Sequence, residues 1–176
     1  MCYIVAMRKL LFVVTMASAL IAVALAGPAS ATPRAASSWE LADGSGTLGQ
    51  FGNPTVVIHA LGTTSGTQGG FVITYPDGTY VAGSPTCLMV IGKAAYLTGR
   101  IILSHGARQQ AGNWLSGNYV VIGVQDNSKP SPAQPDMLNF SPGYATNPGC
   151  GPSTGTIPVF PITRGHFRVA TGSSRP

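Results

Sequence analysis

The side chains able to do chemistry in this chain are few and scattered. Gly151-Pro152-Ser153-Thr154-Gly155 spells the G-x-S-x-G string of serine hydrolases, a motif that works where a strand turns sharply into a helix and where an acid and a histidine follow in chain order. Here the string lies in a proline-rich stretch beside Cys150, and the only later ionisable side chains are Arg164, His166, Arg168 and Arg175. No acid follows, so the string reads as a loop and no catalytic residue is assigned. His59, His105 and His166 have no H-x-H or H-x-x-x-H spacing and no cysteine partner. Zinc and copper are therefore not expected, and each histidine is read as locally satisfied or solvent-facing. Asp126, Asn127 and Asp136 carry the oxygen ligands that calcium uses, but their spacing matches no EF-hand. They are read as turn residues bonding the local backbone, leaving no assigned metal or cofactor site.

The strongest functional hint is at the end of the chain. Arg164, His166 and Arg168 alternate with Gly165, Phe167 and Val169, so a strand here displays a basic stripe outward and apolar side chains inward. Such a stripe suits an anionic cell-wall polymer or glycan. The plainer alternative is an edge strand that uses charge to resist aggregation.

Positioning these residues falls to short strands. The chain is rich in Gly, Pro, Ser and Thr, and no apolar pattern holds helical spacing for three turns. Val56, Ile58 and Ala60 share one face of a strand over Thr55 to Leu61, followed by an expected glycine-rich turn from Gly62 to Gly70. Phe71, Ile73 and Tyr75 share the next face, ending at the turn Pro76-Asp77-Gly78, after which Thr79 to Ala82 reverses. Thr86 to Ile91 is apolar on both faces and reads as a strand covered on both sides. Gly92-Lys93 makes a two-residue hairpin into Ala94 to Leu103, with Gly99 marking a bend or bulge. His105 to Gly117 is a long polar connection. Strands follow at Asn118 to Gln125, with Val120, Ile122 and Val124 on one face, at Met137 to Phe140 and at Arg164 to Ala170. About eight short strands with turn chemistry between them predict an all-β antiparallel sandwich or barrel, two choices the sequence does not separate.

The N-terminus reads as a secretory signal peptide: Arg8 and Lys9 supply charge, Leu10 to Ala26 is an uncharged run of 17 residues, and Ala29-Ser30-Ala31 offers small residues for cleavage. Met7 is a compact alternative start, and cleavage after Ala26 is an alternative to cleavage after Ala31. A spanning helix wants roughly 20 apolar residues, so no stable membrane anchor is expected after processing. Removing Met1 to Ala31 from the 176 residues leaves 145, the size of one domain: a flexible lead-in over 32–38 and a single secreted β domain over 39–176. Processing also takes Arg8 and Lys9, lowering Lys plus Arg from 10 to 8 against five acidic residues and the net charge from +5 to +3. The remaining basic residues are scattered, which argues against a nucleic-acid partner. Cys2 leaves too. The surviving pair, Cys87 and Cys150, is even in number in an exported chain, which favours a disulfide; two buried free thiols are the alternative.

Cys87-Leu88-Met89-Val90-Ile91-Gly92-Lys93-Ala94-Ala95, with Val124-Gln125-Asp126-Asn127 and the later Asp136, resembles a group of secreted actinobacterial proteins carrying a C-L-x-V-x-G-x-x-A pattern and a V-x-D-N-G segment. Ser128 stands where their glycine does. The resemblance spans roughly Gly44 to Val169 and implies export and a β fold; it implies no catalytic residues.

These readings together predict an extracellular, non-enzymatic binding or structural module at or outside the cell surface. The alternative is a β-barrel enzyme or small-ligand carrier with an internal pocket lined by His59, Tyr96 or Tyr119.

Overall fold

The computed structural model describes residues 37–127, 134–152 and 157–174, which belong to one compact unit. Its strands are β1 (Ser37–Leu48), β2 (Thr55–Thr63), β3 (Gly66–Thr74), β4 (Tyr80–Ile91), β5 (Ala94–His105), β6 (Tyr119–Gln125), β7 (Met137–Tyr144) and β8 (Phe160–Ser174), with a short helix α1 (Arg108–Ala111) between β5 and β6. Each strand is antiparallel to the next, and β8 returns to pair with β1, closing a barrel. The all-β expectation holds, and the choice between sandwich and barrel resolves to a barrel. The signal segment Met1 to Ala31 and most of the lead-in lie outside the described residues. Ser37 and Ser38, expected in the lead-in, belong to β1.

Period-two alternation decides what fills the ring. Val56, Ile58 and Ala60, then Phe71, Ile73 and Tyr75, then Val120, Ile122 and Val124 point inward and are buried, as their faces predict. A barrel of eight strands leaves an interior just wide enough for side chains. Two phenylalanine rings take much of that space where glycines make room. A Cβ on Gly99 would stand 2.3 Å from the Phe71 ring and one on Gly83 2.4 Å from it, while a Cβ on Gly46 would stand 2.6 Å from the Phe167 ring. The predicted irregularity near Gly99 falls on its partner strand: β4 shifts register between Ala82 and Gly83 and between Pro85 and Cys87, so Pro85 rather than Thr86 faces Gly99.

Three expectations are corrected. The glycine-rich stretch from Gly62 to Gly70 is not a long turn. It is strand on both sides of Thr64-Ser65, with nine register pairs between β2 and β3. Glycine is required inside it because Gly69, at φ +118°, lies so close to β2 that a Cβ would stand 1.9 Å from the His59 carbonyl oxygen. Thr79 to Ala82 and Thr86 to Ile91 are not two strands but one bulged strand, β4. The outward face of that strand is only partly covered: Cys150 and Gly151 cross Cys87 and Met89, while Ile91 stays exposed.

The ring's closing seam is unusual. β7 and β8 share only the pairs Met137↔Pro161 and Leu138↔Phe160, whereas β8 pairs with β1 along most of its length. Carboxylates do the work of the missing ladder. The Asp136 side chain, 5% exposed as a residue, accepts the Phe167 amide at 2.7 Å on Oδ2 and the Asn127 amide at 2.7 Å on Oδ1, and His166 Nδ1 donates to Oδ2 at 2.9 Å. Its carbonyl accepts the Ile162 amide at 2.9 Å, and Asp126 Oδ2 accepts the Val169 amide at 3.4 Å. Buried backbone donors must be paired somewhere, and charge-assisted bonds from amide to carboxylate are the stronger kind.

Candidate binding site at the barrel mouth

Three connections gather at one end of the barrel: Gly49 to Pro54 between β1 and β2, the turn after β3, and the stretch through α1 before β6. Together with Phe140 and Pro142 of β7 they line a cleft of about 400 Å³, whose walls are Phe51, Tyr75, Arg108, Ala111, Gly112 and Trp114. That volume lies in the range of small-molecule pockets.

Local sequence explains each wall. Trp114 follows Gly112, where a Cβ would stand 2.5 Å from the indole, so only glycine lets the ring fold back under the loop. Trp114 is 2% exposed and forms the floor, its ring 6.5 Å from Tyr75 and 5.7 Å from Phe140. Asn113, at φ +56°, donates from Nδ2 to the Gly143 carbonyl at 2.9 Å and so ties this loop to β7. Phe51 forms the lip. It is 55% exposed and stands at φ +56°, a conformation costly for a bulky residue; its ring meets Phe160 edge-on at 5.0 Å. Exposure and backbone strain on one aromatic at a cleft are features of a ligand site.

Arg108 is the cleft's cation. Its guanidinium lies 4.6 Å from the centre of the Tyr75 ring, a cation–π contact, and Nε donates to Asp77 Oδ2 at 2.5 Å. Gly52, at φ +86°, leaves the space it fills, since a Cβ there would stand 2.6 Å from Nη2. The turn is tied in turn: Thr79 donates its amide to Asp77 Oδ1 at 2.9 Å. That amide above all, and then Arg108, hold the Asp77 carboxyl below the ordinary carboxylate range. Burial raises the Tyr75 hydroxyl above the usual tyrosine value, against the opposing pull of Arg108. The arrangement offers flat apolar surface with one charge-balanced cation, which suits holding a ring-bearing molecule.

The residues singled out from the sequence lie elsewhere. Cys87 and Cys150 form the expected disulfide, with Cα atoms 5.9 Å apart. It ties the segment after β7 across the outside of β4 and β5, where Thr98 Oγ1 donates to the Gly149 carbonyl and Cys150 Sγ lies 3.6 Å from the Tyr96 carbonyl oxygen. The basic stripe is outward and exposed on β8. Arg168 stands across from Asp43 and Arg164 across from Thr47, while His166 is held by Asp136. His59 is exposed and bonds Asp43 at 2.8 Å, and His105 stacks on Tyr80 at 5.4 Å; the three histidines are not brought together. Among the described residues no group of three His, Cys, Asp or Glu side chains is placed to hold a metal. The expectation that Asp126, Asn127 and Asp136 bond the local backbone is corrected: Asp126 accepts the Val169 amide and Asp136 the Phe167 amide, both on the distant β8, while Asn127 donates to the Pro135 carbonyl. Ser153 lies outside the described residues. Sequence reasoning missed Phe51, Arg108 and Trp114, although a tryptophan placed inside a polar connection was a usable signal.

No protein-family model, curated protein or solved structure matches this chain. Its own residues must argue for its function.

Proposed function

We propose that this protein is an exported, non-enzymatic binding module whose barrel mouth holds the ring of a small ligand outside the cell. The aromatic cleft carries the reading: Phe51, Tyr75, Trp114 and Phe140 converge on about 400 Å³, while the barrel's interior proper is filled by Phe71, Phe167 and the aliphatic side chains around them. The charge pattern of the N-terminus and the Cys87–Cys150 bridge support export, as does the resemblance to secreted actinobacterial β-domain proteins. Among the described residues no helix is long and apolar enough to cross a membrane.

The extracellular partner we propose is an anionic cell-wall polymer or glycan, on the ground that Arg164, His166 and Arg168 all face outward and are exposed. Amide chemical-shift mapping of the processed protein tests both statements. Aromatic fragments are expected to shift residues 51, 75, 108–114 and 140, and an anionic wall polymer at low salt to shift residues 163–168. Fragments that shift neither group, or shift residues at random over the surface, would sink the ring-binding reading.

A further inference from the structure

A second cleft draws on two of the same connecting segments as the first. Leu48, Gly49, Asn53, Pro76, Thr163 and Arg164 are among the residues that line about 490 Å³ on the outer side of the mouth. The loop after β1 gives Phe51 to the aromatic cleft and Asn53 to this one; the turn after β3 gives Tyr75 to the first and Pro76 to the second. Phe51 and Asn53 are two residues apart, so their Cα atoms are within about 7.6 Å of each other. The loop after β1 and the turn after β3 thus each border both clefts.

The second cleft has the opposite character. Its lining includes Arg164, Asn53, Thr47, Thr55 and Thr163 and, among the described residues, no aspartate or glutamate. Thr47 and Thr55 bond each other at 2.9 Å, and Thr163 Oγ1 donates to the Thr47 carbonyl at 3.1 Å, so the hydroxyls are ordered. Arg164 differs from the other cations near by: Arg108 is paired with Asp77, Arg168 faces Asp43, and Arg164 faces Thr47. Asn53, like Phe51, is held at positive φ, +54°, so both residues that this loop turns toward the clefts are in the left-handed region.

We infer that the two clefts are one bipartite site for a small amphiphilic acid: its apolar ring sits among Phe51, Tyr75 and Trp114, and its carboxylate or phosphate reaches over the loop to Arg164. This rests on the ring-binding reading of the mouth. A guanidinium with a neighbouring amide donor, here Asn53, binds an oxyanion through charge-assisted hydrogen bonds.

Dansylaminoundecanoate and its methyl ester test it, because both carry the ring and the chain and only one carries the charge. Binding to the processed protein is read by dansyl fluorescence, with wild type, Arg164→Gln and Ala111→Trp compared; Ala111 lies at the exposed edge of the ring cleft, and tryptophan there fills it. The expected result is that wild type binds the acid about tenfold more tightly than the ester, the worth of one charge-assisted contact, and that added salt shrinks this advantage. Arg164→Gln lowers the acid's affinity to that of the ester, while Ala111→Trp weakens both ligands. Equal affinity for acid and ester, with both lost in Ala111→Trp, overturns the bipartite site and leaves the ring cleft standing. An acid preference that survives Arg164→Gln places the anion on another cation and also overturns it. No binding of either ligand overturns both readings.

Discussion

Replacing Asp136 by alanine should cost the barrel more than any other single carboxylate substitution, because it opens the seam between β7 and β8. The change orphans two backbone amides, Phe167 and Asn127, each now bonded at 2.7 Å, and releases His166. Phe167 is fully buried, so its amide has no water to turn to. An unsatisfied buried donor costs about 1–3 kcal/mol, and bonds to charged groups lie at the upper end, which puts Asp136→Ala at roughly 3–5 kcal/mol. For a domain of this size that is a fall in Tm of about 10–18 °C. Asp136→Asn keeps one acceptor but turns a donor toward a donor, for a loss of about 1–3 kcal/mol. The control is Asp43→Ala, whose partner His59 is exposed; an exposed pair is worth about 0–1 kcal/mol. Urea unfolding of the oxidised, processed protein reads all three, and hydrogen exchange of the Phe167 amide reports the seam directly. If Asp136→Ala costs no more than Asp43→Ala, the barrel is not closed by that carboxylate and the account of the seam is wrong.

Other outcomes follow from the same structure. Cys87→Ser with Cys150→Ser, or reduction, removes a bridge of sequence separation 63, and the chain-entropy model predicts a loss of about 4 kcal/mol in urea unfolding. Gly99→Ala drives a Cβ to within 2.3 Å of the Phe71 ring and is expected to cost about 1–3 kcal/mol by thermal melting. The mouth should loosen at both ends of the pH scale. Asp77 is held low by the Thr79 amide and Arg108, so its contribution is intact above the ordinary carboxylate value and is lost as pH falls through the lower folded one. Tyr75 is held high by burial, so its contribution is complete below the ordinary tyrosine value and is lost as pH rises through the higher folded one. Phenolate absorbance should show the late titration, and Tyr75→Phe should remove it.

Strands with bulky inward residues were legible and strands built on glycine were not. Val56-Ile58-Ala60 and Val120-Ile122-Val124 show a plain period of two and lie where it puts them. β1 shows no such pattern, because its inward positions include Gly44 and Gly46. Both are small for a reason that appears only after folding: a Cβ on Gly44 would stand 2.1 Å from the His166 carbonyl oxygen, and one on Gly46 would enter the Phe167 ring. The same physics hid the inner halves of β2 and β3, whose glycines read as a turn. Closure was hidden as well, since Asp126 and Asp136 reach β8 from far away in sequence. The mouth cleft draws on four separate segments. Tyr75 was visible only as a core residue, and Arg108 only as one charge in a polar connection. The basic stripe was visible, but not that one of its members, Arg164, borders a cleft while His166 serves the seam.

The most direct test of the binding account is titration of the processed, oxidised protein with phenylnaphthylamine, an uncharged probe whose emission rises in an apolar pocket, against wild type and Ala111→Trp in parallel. The account predicts saturable binding at one site on wild type, with partial quenching of tryptophan emission, and loss of that binding in Ala111→Trp at unchanged melting temperature. Failure of the probe to bind wild type, or equal binding to both proteins, would contradict it.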